Sequence, residues 1–337
     1  VEAVILAGGL GTRLYPLTYA TPKCLIPLLD RPFVSYQLRM LADAGVEHVV
    51  VSVGQDYAAI EEYVRAKWAG SLDVTFSPED APLGTGGAFA LAAEKLRRPD
   101  EPFLALNGDV LTDLNPAVLA KAHRGVATLT TFEVPDASRY GLILTKPTGE
   151  IDAFIEKPAQ APPKSLINAG VYVLTRDALA GVAVGAPSSI EHDIFPRLIA
   201  EGKTLTAYEH KGFWNDVGTL ATFIRASFEV IYRWFLGDVR LFGGERGDFD
   251  FFKDLIYIHR GAIIKGPTSL EHRVIVMNEA EVNPATTLNN AVVMPGAVVH
   301  AGASLKSVIV GPGAEIAEGS TEENVCIALE GRAQITG

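Results

Sequence analysis

From Ile264 onward aliphatic residues return every six positions, at Leu270, Val276, Val282 and Leu288. That spacing suits neither a helical turn of about 3.6 residues nor the strict alternation of a strand. After a one-residue slip the series resumes at Val293, Val299 and Leu305, and after a second slip at Val310 and Ile316. The triplets Met294-Pro295-Gly296, His300-Ala301-Gly302 and Gly311-Pro312-Gly313 supply turns between them. Residues recurring in this way bury their aliphatic side chains by stacking coil upon coil, which predicts a left-handed β-helix of hexapeptide repeats over 259–337.

The preceding two-thirds reads differently. Apolar runs at Ala3–Ala7, His48–Val53, Leu72–Ser77, Phe103–Leu106, Ala127–Val134, Gly141–Thr145 and Gly170–Leu174 alternate with amphipathic stretches. This is the pattern of an α/β, Rossmann-like domain with a mostly parallel sheet, expected over 1–236. One helix is predicted after Asp30, with Pro32 at its first position, Phe33, Tyr36, Met40, Leu41 and Ala44 on one face, and Gly45 as its C-cap. A second is predicted over Thr219–Leu236, stopped by Gly237, and 237–258, which includes Gly243-Gly244-Glu245-Arg246-Gly247-Asp248, reads as a linker.

A formal charge of -11 excludes a general nucleic-acid binder, which needs clustered Lys and Arg, so any phosphate must be held by a local site. The two cysteines, Cys24 and Cys326, lack metal-ligand spacing and form no disulfide framework, which fits a reducing cytoplasm. The apolar start at Val1–Ala7 is too short for a span and has no basic stretch before it, so neither signal peptide nor membrane association is expected.

The chemistry concentrates where the first strand ends, in Leu6-Ala7-Gly8-Gly9-Leu10-Gly11-Thr12-Arg13-Leu14-Tyr15-Pro16-Leu17-Thr18, followed by Thr21-Pro22-Lys23. A glycine-rich turn after a parallel strand exposes backbone N–H groups and lets the main chain approach a phosphate closely. Arg13 and Lys23 add the cations a triphosphate requires. A dinucleotide fingerprint needs glycine where Leu14 stands, and the Gly-Lys-Ser/Thr of a Walker A loop is absent.

Taken together, this segment resembles the signature of the sugar-1-phosphate nucleotidyltransferase family, Gly-Gly-x-Gly-Thr-Arg-Leu-x-Pro-Leu-Thr and then Pro-Lys-x-Leu-x-Pro, completed by Leu25, Pro27 and Pro32. Leu83-Gly84-Thr85-Gly86-Gly87 is similar to the family's base-recognition loop, Leu106-Asn107-Gly108-Asp109 to its metal-binding turn, and Phe154-Ile155-Glu156-Lys157-Pro158 to its sugar-phosphate segment. Ile167-Asn168-Ala169-Gly170-Val171-Tyr172 and Phe213-Trp214-Asn215-Asp216-Val217-Gly218-Thr219 match two further motifs, in order, so the resemblance covers roughly 1–225.

The resemblance implies that a sugar 1-phosphate attacks a nucleoside triphosphate and pyrophosphate leaves. It implies nucleotide binding by Leu6, Ala7, Gly8, Gly9, Gly11, Thr12, Arg13, Glu79, Gly84, Thr85 and Gly86, and catalysis by Arg13, Lys23, Asp109 and Asp216. Asp109 and Asp216 would hold Mg²⁺. Gly141, Glu156, Lys157, Asn168 and Gly170 would hold the sugar phosphate. Glu79 could accept from the N1–H and amino group of guanine, and Ser189-Ile190-Glu191 with Phe195-Pro196 resembles the mannose-1-phosphate guanylyltransferase branch, so GTP and mannose 1-phosphate are the expected substrates. The Gly-Thr-Gly-Gly loop departs from that branch's usual Gly-Thr-Ala-Gly, which leaves thymidylyl or uridylyl transfer to glucose 1-phosphate, or guanylyl transfer to a heptose phosphate, as alternatives. Two other classes are a catalytically silent regulatory subunit and an acyltransferase built on the β-helix. The first is opposed by the retained Arg13, Lys23, Asp109 and Asp216, the second by the isolation of His272 and His300. The tail is expected to join copies of the chain into a homo-oligomer.

Overall fold

The computed structural model describes residues 1–236 and 249–336. The expected helix stop at Gly237 and the Gly243–Asp248 stretch lie outside the described residues. The chain forms two compact units, one of Val1–Gly9 with Gln37–Trp214, the other of Leu10–Tyr36 with Asn215–Gly337.

In the first unit Ala3–Leu6 is the parallel neighbour of both His48–Val53 and Phe103–Asn107, and His48–Val53 continues in parallel to Asp73–Pro78. The central strands are the most aliphatic: all six residues of His48–Val53 are buried, whereas the edge strand Asp73–Pro78 exposes Asp73 and Pro78. Beyond Phe103–Asn107 the direction reverses. Ser165–Leu174 pairs antiparallel with it, with Ala127–Val134 and with Gly141–Thr145, while Leu205–Glu209 returns to a parallel pairing at the edge. The strand expected from Gly170 begins earlier, at Ser165, and carries a register shift between Asn168 and Tyr172. The core gathers Val4, Val50, Phe89, Phe103, Tyr172 and Phe195, all at most 1% exposed.

The predicted helix is present as Phe33–Asp43. Pro32 is not its first residue: it lies in a two-residue antiparallel strand, Arg31–Pro32, against Pro27–Leu28, and the helix begins one position later. The proline ring sits in an extended hairpin, where its fixed φ is equally at home. At the other end Gly45, at φ 76°, allows its own N–H to reach Ala42 and that of Val46 to reach Leu41, the two bonds of a Schellman close. The last helix runs Leu220–Phe235 and is opened by a capping box between Thr219 and Thr222.

The six-residue series becomes short strands in parallel stacks. Ile264 pairs with Val282, Val282 with Val299, and Val299 with Ile316; Leu270 pairs with Leu288 and Leu288 with Leu305. Val276, Val293 and Val310 form the third column. The slips in the sequence are therefore coils one residue shorter than three hexapeptides. The side chains of the series meet in one continuous core, together with small residues such as Ala280, Ala297 and Ala314 at the corners. His300 lies outside it, with Nε2 3.0 Å from the Glu315 carboxylate.

Among the described residues no helix is long and apolar enough to cross a membrane. Cys24 and Cys326 are free and buried, and burial pushes both thiols up to about 12.

At the amino end of the sheet Glu2 is buried, accepts from the Arg97 and Arg98 amides, and meets His48 Nδ1 at 2.5 Å. Burial opposes its charge, but these donors outweigh it and hold its carboxyl below the ordinary value. A lowered folded pKa contributes stability above the unfolded value and loses it as pH falls through the folded one. Glu2→Ala is expected to cost about 3 kcal/mol at neutral pH, read as a lower urea midpoint. The gap to wild type should close under acid; equal midpoints at neutral pH would contradict this.

Candidate active site

Two strand ends build the floor of the first unit's site. Asn107-Gly108-Asp109 follows Phe103–Asn107 and lies directly on the end of its neighbour Ala3–Leu6. A Cβ on Gly108 would collide with the Leu6 carbonyl oxygen, so only glycine permits this approach. The turn is held from below by Gln37, whose Nε2 donates to the carbonyls of Asn107 at 2.8 Å and Val110 at 3.0 Å. Asp109, half-buried, is thereby carried to the carboxyl end of the parallel strands, next to where Ala7 and Gly8 begin the glycine-rich turn. This is the position at which open α/β sheets bind ligands.

Glu79 closes another side. It follows Asp73–Pro78, is 9% exposed, accepts the Ser52 hydroxyl on Oε1 at 2.8 Å and the Leu83 N–H on Oε2 at 3.0 Å. A Cβ on Gly8 would lie 3.0 Å from Oε1, so the carboxylate stands over the first glycine of the turn. Two of its roughly four acceptor positions are used.

Gly84, Thr85 and Gly86 open the helix Gly84–Ala93, which has almost no polar residues because it is buried along most of its length. Its start is packed against Ser188 and the π-helical turn Ile190–Ile194. A Cβ on Gly86 would come within 2.7 Å of Ile194 Cδ1 and 3.1 Å of the Ile190 nitrogen. The glycine that distinguishes this loop from Gly-Thr-Ala-Gly is thus fitted to the segment facing it. Thr85 Oγ1 accepts the Ile190 N–H at 2.9 Å and donates to Glu191 at 2.6 Å.

The expected sugar-phosphate residues meet one another. Glu156 pairs across the hairpin with Gly141, where a Cβ would be 2.9 Å from its Oε2. Burial, then the nearby Glu191 charge, raise its carboxyl above the ordinary range against the pull of Lys157 and His192. Lys157 is extended into solvent, 3.7 Å from Glu156, at φ 45° immediately before Pro158. Such backbone is costly for a residue preceding proline and is fixed here by its N–H bond to the Tyr140 carbonyl. Asn168 donates to the buried Tyr172 hydroxyl at 2.8 Å and accepts the Gly170 N–H at 3.2 Å, forming the bulge. Gly170, at φ 71°, lies against Asn107 and Val110, joining this motif to the Asp109 turn.

The approach to Asp216 is also fixed. Phe213 accepts from the Thr112 hydroxyl at 2.7 Å and donates its N–H to Asp113 at 2.6 Å, and His210 adds a 2.8 Å contact to the same carboxylate. In the second unit, Gly11 at φ 63° starts a tight turn whose Arg13 carries the guanidinium. Lys23 opens the short turn Lys23–Leu25 and packs its stem on Gly11. A Cβ on Gly218 would lie 2.9 Å from Asp216 Oδ1 and 3.1 Å from Arg13 Nη2, so these two charged groups flank one glycine. Ser52 and the contacts of Glu191 have no signature of their own in the sequence; only distance in the fold reveals them.

Among the described residues no group of three or more His, Cys, Asp or Glu side chains could hold a metal. Asp109, at the end of a parallel strand, and Asp216, beside Arg13 in the second unit, each offer carboxylate oxygens, the donor type a hard cation takes together with phosphate oxygens and water.

Comparison with known proteins agrees with this architecture. A mannose-1-phosphate guanylyltransferase of Mycobacterium tuberculosis is 34% identical over 295 residues, spanning 86% of this chain and 79% of that protein. A mannose-1-phosphate guanyltransferase of Saccharomyces cerevisiae is 36% identical over 69% of this chain, which spans 64% of its length. The solved structure of HddC from Yersinia pseudotuberculosis, also known complexed with GMP-PN, is 26% identical with a TM-score of 0.59, and the match covers 68% of this chain and 99% of that one. Residues 2–231 match the family described as Nucleotidyl transferase, and the chain belongs to that family.

Proposed function

We propose that this chain transfers the guanylyl group of GTP to mannose 1-phosphate, giving GDP-mannose and pyrophosphate. The observation that carries the substrate choice is the 34% identity to a mannose-1-phosphate guanylyltransferase across 86% of the chain, a span too long to be confined to the part before the β-helix. The neighbouring structure complexed with GMP-PN supports guanine over thymine or uracil, and the placement of Glu79 above Gly8 offers acceptors for the guanine edge.

In this reading a phosphate oxygen of the sugar phosphate attacks the α-phosphorus in line, and the bond to pyrophosphate breaks. No protein nucleophile is required; catalysis is positioning and charge neutralisation. The glycine-rich turn and Thr12 present donors to the triphosphate, and Arg13 and Lys23 take up its charge. Glu156 and Asn168 receive sugar hydroxyls beside the backbone of Gly141 and Gly170, with Lys157 on the sugar phosphate. Asp109 and Asp216 would hold Mg²⁺, which supplies charge neutralisation across the phosphates when bound. The work is that of a cytoplasmic biosynthetic enzyme, and the tail, read as left-handed, joins subunits.

A grid of four triphosphates against several sugar 1-phosphates, read as pyrophosphate release, tests the assignment. GTP with mannose 1-phosphate should be the best pair, and Glu79→Gln should erode the preference for GTP over ATP. Equal or better turnover with UTP or dTTP would overturn the guanine reading.

The two lysines serve different substrates. Lys23→Ala should raise KM for the triphosphate and Lys157→Ala that for the sugar phosphate, each by about tenfold, as expected for one charge-assisted contact. Identical effects on both substrates would contradict the division.

If Glu156 acts as a carboxylate, kcat/KM for the sugar phosphate falls as pH drops through its raised pKa. Removing the neighbouring negative charge by Glu191→Gln should move that limb to lower pH, the phosphate's own titration being common to both proteins. An unmoved limb would show that Glu156 does not govern it.

A further inference from the structure

Tyr15 holds the second of the two variable positions in the nucleotide signature, and it makes a contact 315 residues away. Its hydroxyl donates to the backbone carbonyl of Glu330 at 3.2 Å. Glu330 lies in the turn between the two final antiparallel strands, Thr321–Ala328 and Gly331–Gln334. Gly331, at φ 152°, adopts backbone that side chains rarely accept, and a Cβ there would stand 2.6 Å from the Tyr15 hydroxyl. The glycine makes room for the tyrosine.

The loop that bears Tyr15 is wound tightly enough to transmit this contact. The N–H of Leu14 donates to Gly11, that of Tyr15 to Thr12 and that of Leu17 to Leu14, while the Thr18 hydroxyl returns to the Gly11 carbonyl at 2.9 Å. Leu14 is 1% exposed and pins the turn, whereas Tyr15 and Tyr19, edge to face at 5.9 Å, stand at its outer side. Between Gly11 and Tyr15 lies Arg13, which flanks Gly218 together with Asp216. The last turn of the coil therefore touches the stretch that carries the triphosphate's arginine.

We propose that Tyr15 is a positioning residue, through which the terminal hairpin of the β-helix holds the Gly11–Tyr15 turn in register for the triphosphate. The tail thus acts on the reaction of its own chain, in addition to any role in assembly. This rests on the nucleotidyl-transfer reading above. The coil is stiff because each turn is hydrogen-bonded to the next along its columns, so its end provides a fixed point for a loop whose outer side is otherwise exposed.

The test is a double-mutant cycle of Tyr15→Phe and Gly331→Ala in the full chain, measuring KM and kcat for each substrate and the thermal midpoint. Loss of the hydroxyl should raise KM for the triphosphate about threefold to tenfold and leave KM for the sugar phosphate within about twofold of wild type. Gly331→Ala should produce a similar or larger rise, and its effect should shrink in the Tyr15→Phe background, where the hydroxyl is gone. Alanine's backbone strain is present in both backgrounds and cancels from the cycle. Coupling seen in the thermal midpoint but absent from triphosphate KM would make the contact merely structural and overturn the proposal. So would additive effects in both measurements, or equal rises for both substrates. A wild-type chain inert with every triphosphate would instead refute the underlying reaction.

Discussion

The site in the first unit depends on the contact of Gly108 with the carbonyl of Leu6. Parallel strands place their carboxyl ends side by side, but side chains normally keep the loops that follow apart. Here the absence of a Cβ lets the Asp109 turn settle onto the end of the first strand, where the glycine-rich turn departs. Gln37 holds the turn from one side and Gly170 abuts it from another, so the carboxylate is positioned by packed backbone rather than by a flexible loop. Preorganisation of that kind is what a reaction driven by charge neutralisation requires.

The same device recurs around the site. Gly86 is fitted against Ile190 and Ile194, which lets Thr85 reach Glu191 and joins the base-loop motif to a carboxylate that also acts electrostatically on Glu156. Asp113 and Thr112 fasten Phe213 just ahead of Asp216. The β-helix has a separate source of stability, an uninterrupted aliphatic column buried on all three sides of the coil. Its last turn meets Tyr15, so the tail and the signature loop share one compact unit although nearly the whole chain separates them.

Much of this was legible because it is periodic or local. The positions from Ile264 to Ile316 lie on strands and in one core, since a six-residue period has few other ways to bury itself. Gly45 and Thr219 carry local capping chemistry and end or begin helices as expected. Pro32 was misplaced by one position because an extended hairpin and a helix start accept the same φ. Strand direction was less legible: alternating or continuous apolar runs look alike in either direction, so the antiparallel pairing of Ser165–Leu174 shows only in the fold. The partners of Thr85, Asp113 and Tyr15 are remote in sequence, and no local pattern announces a contact across about a hundred residues or more.

If guanylyl transfer runs as proposed, Asp109 and Asp216 are each needed for Mg²⁺ to act on the reacting phosphates. Turnover of Asp109→Asn and Asp216→Asn as a function of Mg²⁺ concentration, with circular dichroism to verify folding, tests it most directly. A fall in kcat on the order of a hundredfold or more is expected for either variant, with the fold intact. Near wild-type turnover with an unchanged Mg²⁺ dependence in either variant would contradict it.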